Sequence, residues 1–281
     1  MTRTDFGGVL SIDAETVVRY VVLAVVLTFV IFPVYWMFAG AIQNTASLFG
    51  GDPNIVPTEI TFENFGALFE RTEAATYFVN SVIVTSMAVV LSTTISTLGG
   101  YSLSRFEFRG KTALARSVLF AYMFSPIVLG IPLYILFYRL GLLNSYVSIA
   151  IAQSAIAVPF GIWLMWQYFQ SIPLSVEESA WMQGAGYFRT FWDIALPMAR
   201  PGYITTAIFS FAISWADFTM AKIILTDTDS YTIMVGAAQF LERTDVGWGM
   251  TMATGVLIVI PPFLIVLFLQ DYLLQGFDLE P

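Results

Sequence analysis

The chain has 281 residues, of which 57% are hydrophobic and only 11% charged, and its mean hydropathy is +0.76. Soluble domains carry roughly a quarter of their residues as charged ones, so this composition excludes an ordinary soluble protein and points to a membrane. Cysteine and histidine are both absent, which removes disulfide frameworks, Cys/His metal sites and histidine-based acid–base or nucleophilic catalysis.

The first apolar run, "YVVLAVVLTFVIFPVYWMFAG" from Tyr20, follows a segment in which Asp5, Asp13 and Glu15 outweigh Arg3. A signal peptide has a basic start and an apolar core of about 7 to 15 residues. The run is longer and its start is acidic, so a retained helix is predicted despite the small residues Ala39 to Ala41. Five more runs follow, giving six predicted spans at about 20–40, 79–104, 117–138, 147–169, 201–225 and 250–270. Each is close to the roughly 20 residues that cross about 30 Å of hydrocarbon. The expected fold class is an all-α integral membrane protein, with 1–17 as an amino-terminal segment and 18–281 as one transmembrane domain.

Two polar segments, about 41–78 and 226–249, separate spans one from two and five from six, and Gly50, Gly51, Pro53 and Pro57 break the first. They are too polar to cross a membrane and too short for independent domains. "GKT" at Gly110 to Thr112 is no phosphate-binding loop, because the glycine needed five positions before Gly110 is replaced by Arg105. Loops on the cytoplasmic side carry an excess of Lys and Arg. Placing both termini inside puts Arg3, Arg19, Arg105, Arg109, Lys111, Arg116, Arg189 and Arg200 there, against Arg71, Arg139, Lys222 and Arg243 outside. The apolar runs make membrane lipid the expected surroundings and no nucleic-acid partner is expected. A formal net charge of -8 with just two lysines is what a protein in very salty water carries, where simple charge pairs are screened within a few ångströms.

Between spans four and five lies "EESAWMQGAGYFRTFWDIALPMARPG", Glu177 to Gly202, which faces the cytoplasm in this topology. "SVEE" at Ser175 to Glu178 fits a capping box, so a helix should start there, with Ser175 accepting from the backbone and Glu178 reaching back. Gly184 and Gly186 permit a turn about two turns later. "YFRTFWDIALP" then leads to Pro201, which suits the first turn of the next helix. A helix-turn-helix over about 170–200 is predicted.

This loop resembles the signature of ABC importer permease subunits, which reads E-A-A, three residues, then G. Glu178, Ser179, Ala180 and Gly184 match it, with Ser179 in place of the first alanine. Gln183 stands where carbohydrate-type members usually have Asp, which removes a charge from that joint. "NS" at Asn80 to Ser81, "YSLSRFEFRGK", "IPLYILFYRLGLLNSY", "WADF" at Trp215 to Phe218 and "SYTIMVGAAQF" extend the likeness over nearly the whole chain from about residue 18. The pattern is similar to the smaller permease subunit of maltose-type transporters. The carboxyl end, "GFDLEP", lacks the lysine-containing tail that many relatives insert between ATPase subunits.

The resemblance implies a transport subunit and not an enzyme, with no cofactor of its own and with ATP and Mg on separate ATPase subunits. It implies a second permease subunit, two ATPase subunits and an external solute-binding protein as partners. It also gives the helix-turn-helix the task of coupling to the ATPase, through Glu177, Glu178, Ser179, Ala180, Gln183, Gly184 and Ala185. For the solute pathway the sequence offers Asp217, the lone acid inside a predicted span, together with Gln153, Trp215 and Tyr122, since intramembrane ionisable groups are costly and usually functional. A sugar or oligosaccharide is the expected cargo. A polyol, a glycerol phosphodiester, a polyamine, or a self-sufficient secondary transporter stay open as alternatives.

Overall fold

The computed structural model describes residues 14–44, 55–57 and 59–277, and everything described is helix, turn or loop. The segment 1–13, much of the first loop and the tail from Asp278, including the end of "GFDLEP", lie outside the described residues. The elements run α1 (Ala14–Ala41), α2 (Glu63–Arg71), α3 (Ala74–Arg105), α4 (Lys111–Ala121), α5 (Pro126–Arg139), α6 (Tyr146–Ser171), α7 (Leu174–Met182), α8 (Tyr187–Thr190), a π-helical turn Phe191–Ala195, α9 (Leu196–Met198), α10 (Arg200–Trp215), α11 (Thr219–Ile224), a 3-10 turn Thr228–Ser230, α12 (Ile233–Phe240) and α13 (Trp248–Phe277).

Among the described residues, four helices are long and apolar enough to cross a membrane: Glu15–Ala41, Ala74–Arg105, Tyr146–Ser171 and Trp248–Gln270. The predicted third span is not one rod. It divides into α4 and α5, which meet at 100°. Ser125 is the cause, since a residue before proline is driven to extended backbone and its ψ is 136°, while Pro126 opens the new helix. The predicted fifth span is also interrupted: α10 stops at Trp215, and Ala216 to Phe218 turn the chain into α11.

The core is α3 packed along α6, with α10 against both. Small residues let the backbones approach. A Cβ on Gly100 would stand 2.6 Å from Met165 Cβ and 2.7 Å from the Trp166 nitrogen. Gly161 fits over Ser96, and Gly202 fits under the Tyr168 ring. Lipid is as apolar as leucine, so such helices are held by close packing and internal hydrogen bonds, with little help from the hydrophobic effect. The Ser154 hydroxyl, for example, donates to the Ala88 carbonyl at 3.2 Å.

By contrast, α1 is exposed along most of its length and touches α13 only towards its own end, where Gly40 meets Met252 and Gly255 meets Met37. Helix directions sort the loops into two ends. The ends of α3 and α6 share one end of the bundle with α7 to α9. The starts of α3, α6 and α13 share the other with α2 and α12.

Candidate functional site

The segment following α6 forms a helix-turn-helix, and its local chemistry explains the turn. Gln183, Gly184 and Ala185 close α7 in a Schellman arrangement: Ala185 N–H donates to Ala180 O at 3.0 Å and Gly184 N–H to Trp181 O at 2.9 Å. Gly184 adopts φ of +89°, the left-handed conformation that favours glycine. The capping box does not form. The helix begins at Leu174 directly after Pro173, which leaves Ser175 inside the first turn, and no side chain caps the end.

The seven coupling candidates divide by exposure. Glu178, Ser179, Gln183 and Gly184 are exposed, Ala185 is partly exposed and Ala180 is buried. Glu177 is fully buried at 0%. Its Oε1 accepts from Arg105 Nε at 2.7 Å and its Oε2 from the Tyr101 hydroxyl at 2.8 Å. Arg105 Nη2 also donates to the Ile172 carbonyl at 3.0 Å, at the corner between α6 and α7. Removing one partner of such a buried pair strands a charge and costs about 3–5 kcal/mol. Sequence reasoning missed Arg105 and Tyr101. The available signal was geometric, because adjacent glutamates on a helix point about 100° apart and do not face the same partner.

Aromatic packing completes this joint. The Tyr101 ring meets Phe169 and Phe191 edge-on, with centroids 5.2 and 4.8 Å away. Between α7 and α8 lies a polar cleft of about 410 Å³ bordered by Ser179, Gln183, Gly184, Arg189 and Asp193.

The pathway candidates fall in two places. Asp217 sits in the break between α10 and α11, where its carboxylate accepts from the backbone nitrogens of Met220 and Ala221, both at 3.1 Å. It therefore caps α11. Gln153 on α6 donates to the same carboxylate at 3.2 Å, while its own buried amide oxygen has no hydrogen-bond partner among the described residues. Trp215 is 4% exposed, stacked on Phe211 with its indole N–H donating to the Ile258 carbonyl at 2.9 Å. That side chain joins α10 to α13. Tyr122 lies away from these three, exposed at the α4–α5 bend with its ring 5.7 Å from Phe160.

These features define a class: an all-helical, multi-pass membrane component with a helix-turn-helix set at one end of the bundle. Residues 93–278 match the family described as binding-protein-dependent transport system inner membrane component. The chain belongs to this family, and its part in such a system is that of a membrane component, not of an enzyme. It is 32% identical over 276 residues to the diacetylchitobiose uptake system permease protein DasC of Streptomyces coelicolor, covering 98% of this chain and 97% of that one. It is 29% identical to the trehalose/maltose transport system permease protein MalG of Thermococcus litoralis, over 88% of this chain and 89% of that one. Its fold matches a solved bacterial ABC transporter involved in the import of the acidic polysaccharide alginate, with a TM-score of 0.82 at 24% identity over 94% of this chain and 98% of that one.

Proposed function

We propose that this chain is one permease subunit of an ATP-driven importer that moves a sugar or oligosaccharide into the cell. It works beside a second permease, two ATPase subunits that hold ATP and Mg, and an external solute-binding protein. The observation that carries the reading is the helix-turn-helix: it presents Glu178, Ser179, Gln183 and Gly184 outward while Glu177 ties it back to the bundle. Relatives named for diacetylchitobiose and trehalose/maltose uptake support the choice of cargo over a polyol or a polyamine.

In this reading the chain crosses the membrane six times, with α4–α5 and α10–α11 as broken spans and both termini in the cytoplasm. The exposed face of α7 seats on an ATPase subunit, with Glu178 as polar anchor and Gly184 setting the bend, while Ala180 is buried and packs α7 closely within its own chain instead of against that partner. Closure of the nucleotide dimer moves that face, and the bundle alternates between outward and inward access. Asp217 and Gln153 contribute polar groups to the solute pathway. The test is reconstitution of the complete transporter in liposomes with its own binding protein. ATP-dependent uptake of labelled disaccharides is expected, and uptake of a polyamine alone would overturn the choice of cargo.

A further inference from the structure

The backbone already links α7 to two membrane helices, α6 before it and α10 after it. Nothing in the chain's connectivity links it to α3, whose end lies 72 residues before Glu177. Yet the Arg105 guanidinium grips both α7, through Glu177, and the α6–α7 corner, through Ile172. Tyr101, one turn earlier on α3, holds the second carboxylate oxygen. At the far end of the same helix, Asn80 donates to the carbonyls of Asp229 and Tyr231, and Ser81 accepts from the Ile233 N–H. About 38 Å of unbroken helix separates Asn80 from Arg105 at 1.5 Å per residue.

We infer that Glu177, Arg105 and Tyr101 form a positioning clamp that passes displacement of the helix-turn-helix into α3, and through α3 to the loop that carries Asp229. Physical transmission requires contacts that survive the load, and three charge-assisted or hydroxyl bonds gathered at a fully buried carboxylate and the adjoining corner meet that need. Glu177 thus acts within its own chain, leaving Glu178 to face the ATPase. The inference rests on the coupling role proposed above.

The test uses the complete complex with two fluorophores, one on Phe188→Cys in the helix-turn-helix and one on Asp229→Cys at the far end. ATP, Mg and vanadate trap the closed ATPase, so no cargo is needed. Both labels should respond in the parent; if neither does, the underlying coupling reading fails. In Glu177→Gln the Phe188 label should still respond while the Asp229 response falls about fivefold or more, within the range that coupling mutations produce. Equal responses at both ends in Glu177→Gln would overturn the clamp. Should that variant lose both responses by detaching α7, Tyr101→Phe decides: it removes one bond, and the Asp229 response should drop relative to that of Phe188. An unchanged ratio in Tyr101→Phe would then overturn it.

Discussion

Asn80 holds Tyr231 from across the bundle, its side-chain amide donating to that residue's carbonyl at 2.9 Å while its own oxygen accepts from the Tyr146 hydroxyl at 2.6 Å. Three segments, α3, α6 and the loop before α12, meet at one side chain. Asn80→Ala leaves buried groups without partners, so a loss of about 2–3 kcal/mol is expected. Asn80→Asp should be worse, because it replaces two donors with an acceptor facing carbonyls. Thermal unfolding in detergent checks the order: parent, then Ala, then Asp.

Gly184 has open space around its missing Cβ, so substitution there meets strain without collision. Gly184→Val should cost about 1–2 kcal/mol from the left-handed backbone alone, distort α7 and weaken ATPase binding and uptake together. Gly184→Asn, which tolerates that conformation, should stay near the parent. Equal behaviour of the two variants in a pull-down of the ATPase would remove the mechanical role of the turn.

Gly100 presents the opposite case. The atoms facing it belong to the backbone and Cβ of α6, which cannot rotate aside. Gly100→Ala should therefore separate α3 from α6 and cost about 1–3 kcal/mol, as overpacking does. Gly66→Ala on α2, where nothing lies within 4 Å, is the control and should unfold at or slightly above the parental temperature, since alanine is the better helix former.

Asp217 distinguishes capping from transport. Asp217→Asn keeps an acceptor for the start of α11, whereas Asp217→Ala removes it and should cost about 1 kcal/mol. If the carboxylate serves the solute pathway, the Asn variant assembles and hydrolyses ATP yet takes up solute at a changed rate or with changed preference. Unchanged uptake in both variants would reduce the residue to a cap.

Topology is open to direct labelling, since the chain contains no cysteine. In whole cells an impermeant thiol reagent should reach Glu59→Cys and Asp229→Cys but not Glu107→Cys or Glu178→Cys. Labelling at position 178 would invert the protein.

Much of this architecture was legible because the length of an uncharged apolar run marks a helix long enough to cross a membrane, whether it then faces lipid or protein: four of the predicted spans correspond to the four long apolar helices. The two broken ones show what a composition scan cannot see. Ser125 and Pro126 carried a local signal, the proline that resets its predecessor's backbone. Asp217 carried another, an acid placed to cap the start of α11, a role that shows only with the break and stands beside the pathway role proposed for it. The indole N–H of Trp215 meets the Ile258 carbonyl on α13, a neighbour that no local feature of the sequence marks. Glu177 looked like Glu178, because pairing with Arg105 depends on how α3 lies against α6. Gly184 was the opposite: its conformational demand is local, so the turn followed from sequence alone.

The close seating of α3 on α6 has a consequence for the solution in which the protein works. Dispersion contacts at Gly100 and Gly161 and the hydroxyl bond from Ser154 to the Ala88 carbonyl contain no net charge for counterions to screen. Rising ionic strength therefore leaves that contact untouched and acts on the exposed pairs Arg19–Glu15, Arg189–Asp193 and Arg243–Asp245. Such pairs contribute little to begin with. The seating of α3 on α6 is thereby indifferent to salt, and the surface charge is free to follow the surrounding medium without loosening the pair of helices at the centre of the fold.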